Sequence, residues 1–120
     1  MQNFFTLKEM PELHLPFGAI LWPITSEENT GALSLNNCGI MSFSQYGGHG
    51  RHQHAPEEAD KVETLYCLEG EGVHVFWDEN DNPVKHVIRK GDLICCVRGM
   101  PHMTTNEKRE PFICLIINAN

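Results

Sequence analysis

Two histidines one residue apart, His52 and His54, form the part of this chain best suited to chemistry. On an extended strand their side chains leave the same face a few ångströms apart, as two ligands of one ion require. Glu63 opens the next apolar run, and His102 stands far downstream. The stretch 47–54 is polar and glycine-rich, so an exposed loop is the competing reading of the pair.

The intervals around these residues fall into two motifs. In the first, Gly47 precedes His52 and His54, Glu63 follows, and six residues separate Glu63 from Gly70. In the second, Gly91, Val97, Gly99, His102 and Asn106 follow one another at gaps of five, one, two and three residues. On these spacings the chain resembles the cupin superfamily across residues 47–106. The resemblance implies an all-β fold, a single cupin barrel (a double-stranded β-helix, jelly-roll-like). It also implies one divalent metal ion held by His52, His54, Glu63 and His102. Neutral imidazoles with one carboxylate suit Fe, Mn, Ni, Co or Zn, whereas hard-ion sites use mostly oxygen. Four ligands leave two neighbouring places on an octahedral ion, where a substrate could chelate, or where one substrate oxygen and O2 could sit side by side.

Two departures stand out. Val97 occupies the position usually held by proline, and the stretch from His54 to Glu63 is longer than the usual interval by about four residues. The added residues 55–61 bring in other carboxylates, and Glu58 is the rival ligand to Glu63. Glu63 is preferred because it begins an apolar strand that places Leu65 and Cys67 on its own face and keeps the interval to Gly70. Residues 55–61 then read as a loop bulging between strands.

The elements that must position this set are strands. Short apolar or alternating runs recur at 17–22, 40–46, 62–68, 73–77, 84–89, 93–97 and 112–118, separated by turns rich in Gly, Asn, Asp and Pro. The clearest hairpin joins 73–77 to 84–89 through the polar segment 78–83. A helix of one or two turns is allowed near residues 5–13, limited by Pro11 and Pro16. Residues 1–35 are expected as N-terminal strands and an arm packing on a barrel formed by 36–120, one domain overall. Tyr46, Cys67, Phe76, Met100 and Met103 are candidate pocket walls. His14, His49, His74 and His86 lie outside the motifs and read by default as surface or core histidines.

The 120 residues, 41% hydrophobic and 21% charged, have ordinary globular usage. With 9 basic against 16 acidic residues and no basic cluster, neither nucleic acid nor a membrane surface is an expected partner. Residues 1–10 lack a signal-peptide pattern, and the five cysteines have no CxxC spacing, so a cytoplasmic location with reduced, core-filling thiols is expected. A homodimer is expected too, because a small open barrel leaves strand edges that pair readily. The leading function is a metal-dependent enzyme, a dioxygenase first, acting on a small oxygenated substrate. Isomerase, decarboxylase or lyase chemistry, or a non-catalytic small-molecule binding module, are the alternatives. Fold resemblance does not choose among them.

Overall fold

The computed structural model describes residues 6–24, 37–53, 62–96 and 99–119. Apart from a 3-10 turn at Leu7–Glu9, where the sequence allowed a slightly longer helix, the described elements are strands. They are β1 (Leu13–Leu15), β2 (Ala19–Pro23), β3 (Asn37–Phe43), β4 (Val62–Glu69), β5 (Glu71–Trp77), β6 (Pro83–Arg89), β7 (Leu93–Cys96), β8 (His102–Thr105) and β9 (Phe112–Ala119). Two antiparallel sheets face each other, one ordered β1-β2-β3-β9-β4-β7 and the other β6-β5-β8. The apolar core between them includes Phe43, Leu65, Ile88, Phe112 and Ile116.

The chain passes between the sheets more than once, and several of the described turns are fixed by glycine or by side-chain hydrogen bonds. Gly70 joins β4 in the large sheet to β5 in the small one with φ +80°, a left-handed conformation that costs a side-chain-bearing residue. The β5–β6 hairpin is closed by Asp78, whose Oδ1 accepts the N–H groups of Asn80 and Asn82, both at 2.9 Å. Return to the large sheet passes through Asp92, whose Oδ2 accepts the Arg89 N–H at 2.8 Å. The turn that follows β8 is held by buried Asn106, which donates from Nδ2 to the Phe43 and Glu110 carbonyls and accepts the Lys108 N–H on Oδ1.

Alternation in β4 runs as the apolar pattern predicts: Leu65 and Cys67 are buried while Tyr66 between them is exposed. Glu63 shares the inward face. In β5 burial does not alternate, since Val73 and Val75 are buried along with Gly72 and His74; Gly72 lies against Phe112 of the large sheet, where a Cβ would come 2.3 Å from the ring. Glycine is therefore what lets Phe112 pack against the strand backbone.

Candidate metal centre

His102 opens β8 and is 3% exposed. His52 lies outside the named strands but pairs with it in an isolated antiparallel bridge. The His52 N–H donates to the His102 carbonyl at 3.0 Å and the His102 N–H to the His52 carbonyl at 2.9 Å. This reciprocal pair brings the two imidazoles to a centroid separation of 4.4 Å. The pairing, rather than a regular strand, is what fixes His52.

The two rings are oriented in the same way. His52 Nδ1 meets the Gly50 carbonyl at 2.8 Å, and His102 Nδ1 meets the Met100 carbonyl at 3.0 Å, each two residues back in the chain. A carbonyl oxygen can only accept, so in the neutral rings the proton sits on Nδ1 and the lone pair on Nε2. Metal-binding imidazoles are held by this type of backbone anchor.

Glu63 reaches the cluster from β4, with Oε1 3.9 Å from His102 Nε2. Its register partner on β7 is Cys96, whose Sγ also lies 3.9 Å from that oxygen. Donor atoms of Glu63, Cys96 and His102 all fall within 4.8 Å of one another. Around a tetrahedral ion with bonds of about 2.1 Å to N or O and 2.3 Å to S, neighbouring donors would be about 3.4 to 3.6 Å apart. Closing this cluster on an ion would therefore take contractions of about 0.3 to 0.5 Å for the two pairs at 3.9 Å and up to about 1.2 Å for the widest pair, and its donor chemistry fits one. His54 and the rival Glu58 lie outside the described residues.

His102 separates two spaces. On one side a cavity of about 160 Å³ is lined by His49, His52 and Glu63 together with Phe17, Phe43 and other apolar residues. On the other, a cavity of about 350 Å³ is lined by His74, Phe76, His86, Ile94, Cys95, Cys96 and Met100. No Lys, Arg, Asp or Glu is among the described residues lining this larger space. His74 is 2% exposed, and its Nδ1 is 2.9 Å from Thr104 Oγ1. Burial, reinforced by His102, His86 and His52, pushes its pKa down to about 4, so at neutral pH the ring carries no charge. Burial, and next the Glu63 carboxylate, pushes the Cys96 thiol well above the ordinary thiol range.

Of the sequence-derived pocket walls, Phe76 and Met100 line the larger cavity. Three others lie elsewhere. Tyr46 is 78% exposed on a turn with φ +61°. Cys67 is fully buried in the apolar core, its thiol directed at the Glu69 and Gly70 carbonyls. Met103 alternates with His102 and Thr104, so it takes the opposite face of β8, beside Val75. Sequence reasoning missed Cys96, His74 and His49. Pairing the run 93–97 beside 62–68 would have placed Cys96 across from Glu63, but that pairing is a tertiary fact.

The family model for the cupin domain matches residues 39–118. No curated protein matches the chain in sequence. Among solved structures, Lactobacillus farciminis oxalate decarboxylase in a formate complex aligns at a TM-score of 0.76 and 16% identity, covering 97% of this chain and 32% of its own. An oxalate oxidase aligns at 0.73 and 18%, covering 96% and 58%. Drosophila melanogaster CENP-C bound to CAL1 aligns at 0.74 and 18%, covering 95% and 83%. This chain thus spans about a third of the decarboxylase and somewhat over half of the oxidase. At these identities the likeness is one of fold.

Proposed function

The chain belongs to the cupin family, and from that premise we propose that it is a metal-dependent oxygenase acting on a small, uncharged, oxygen-bearing molecule. The observation that carries this reading is the shared anchoring of His52 and His102, each with Nδ1 on a backbone carbonyl, together with the approach of His102 Nε2 to Glu63 Oε1 at 3.9 Å. A divalent ion bound there would supply Lewis acidity and a place for O2 beside the substrate. His52, Glu63 and His102 would hold it; His54 joins them in the ligand set that the sequence motif proposes.

The chain's own residues decide what enters. Phe76, Ile94 and Met100 give the larger cavity an apolar wall, and neutral His74 offers a polar contact without a charge. A dianion such as oxalate would meet no fixed cation from the described lining, whereas an enolisable diketone or a catechol would present its oxygens at the cluster and its carbon skeleton to the wall. In the proposed reaction both atoms of O2 end in the products as a carbon–carbon bond breaks. The substrate is the electron donor, so no outside reductant is needed.

The test is O2 uptake by metal-loaded protein with a panel of diketones and catechols. One O2 consumed per substrate, lost in His102→Ala, is expected. A second reading, isomerase or lyase chemistry, rests on His74, a buried imidazole lining the larger cavity whose role as a base would need no O2. Turnover that persists without O2 would select that reading, and tight binding without turnover would make the protein a binding module.

A further inference from the structure

We infer that Cys96 is itself a ligand of the metal, so that sulfur shares the ion with imidazole and carboxylate. The inference rests on the reading above, that this cluster holds a divalent ion. Its own basis is geometric. β7 lies against β4 with Cys96 directly opposite Glu63, and the Sγ stands 3.9 Å from Glu63 Oε1 inside a group of donors no more than 4.8 Å apart. The neighbouring Cys95 takes the other face of β7, is exposed, and meets Thr64 Oγ1 at 3.7 Å. Cys67, Cys114 and Cys96 itself all belong to the buried core. Only Cys96, among the described cysteines, is grouped with a carboxylate and an imidazole as a potential metal donor.

The Cys96 thiol is met by Glu63 Oε1 at 3.9 Å and His74 Nε2 at 4.0 Å, so it has polar neighbours that Cys114 in the core does not show, although as a thiol it can offer them only a weak S–H donor. Facing a carboxylate and an imidazole nitrogen, it completes a set of O, N and S donors of the kind zinc accepts. On binding, the S–H bond breaks heterolytically, the proton leaves to the buffer, and a metal–sulfur bond forms without electron transfer. A thiolate also changes which ion is preferred, because soft sulfur favours Zn, Co or Fe(II) over the harder Mn or Mg.

The experiment uses the full chain loaded anaerobically with Co(II), and separately with Zn(II) for X-ray absorption. A sulfur-to-cobalt charge-transfer band in the near ultraviolet is expected in the wild type and in Cys95→Ser, and absent in Cys96→Ser and Cys96→Ala. Zinc absorption should show one sulfur at about 2.3 Å, a readout that needs no variant. Cys96→Ser should weaken cobalt binding about tenfold and manganese binding less than threefold. Cobalt bound without the band, zinc without a sulfur neighbour, or a band retained in Cys96→Ser overturns the inference and leaves the metal reading intact. Failure of the wild type to take up cobalt or zinc defeats both.

Discussion

The two sides of His102 are built differently. The smaller space combines three imidazoles and the Glu63 carboxylate with apolar side chains, and its residues hold one another: His49 and His52 rings lie 4.2 Å apart, and Phe17 meets His49 edge-on at 5.1 Å. The larger also has three imidazoles, from His74, His86 and His102, with Cys95, Cys96 and apolar side chains, but no carboxylate in its described lining, and its volume suits a small organic molecule. One side is therefore equipped to grip and the other to admit. A single ring, His102, belongs to both, which is why its backbone is pinned to His52 and its Nδ1 to Met100.

His102→Ala breaks both sides at once and should have the largest effect, a fall in metal affinity of about 100-fold or more, read by metal analysis after equilibrium dialysis. Glu63→Gln keeps the shape but removes the negative charge. Metal affinity should drop about 10- to 100-fold, whereas Glu58→Gln should leave it unchanged. Metal content that follows Glu58 instead would mean that the added residues 55–61 form part of the site.

Filling one space and then the other sharpens the contrast. Ile94→Phe narrows the larger cavity and should raise the substrate's Kd about tenfold with metal content unchanged, while Met41→Phe on the smaller side should alter it less than twofold. Equal effects from the two substitutions, measured by calorimetry, would remove the division of labour. Thr104→Val deletes the hydroxyl that meets His74 Nδ1 and should cost about 1 to 3 kcal/mol in urea unfolding, because a buried nitrogen loses its partner.

The mildest test is pH. His74 titrates near 4 when folded and near 6.5 when unfolded, so between those values the unfolded chain binds more protons. The metal-free protein should thus lose stability as pH falls from 6.5 to 4, with no further loss from this group below that. Urea midpoints at pH 7 and pH 5 should show the drop, and His74→Gln should reduce it.

What was legible in the sequence follows from what is local. Period-two alternation set the inward face of β4 and hence Glu63, and the polar run at 78–83 marked the β5–β6 hairpin. β1 and β8 were not read, since strands of three and four residues beside Pro11, Pro16 and Pro101 carry too little pattern. Cys96 passed as filler because its importance comes from β7 lying beside β4, which no spacing within 93–97 encodes. His74 was set aside for a related reason: alternation alone did not say which face of β5 turned inward.

The backbone bridge between His52 and His102 has one more consequence. These two positions are about fifty residues apart in the chain, and an ion gripping both rings would close that whole stretch into a loop, as a covalent cross-link does. The unfolded state would have to surrender the ion before it could expand, so the melting temperature should climb with the logarithm of free metal concentration. In that sense the ion would serve as a clasp on a barrel whose two sheets are otherwise joined by turns and a shared core.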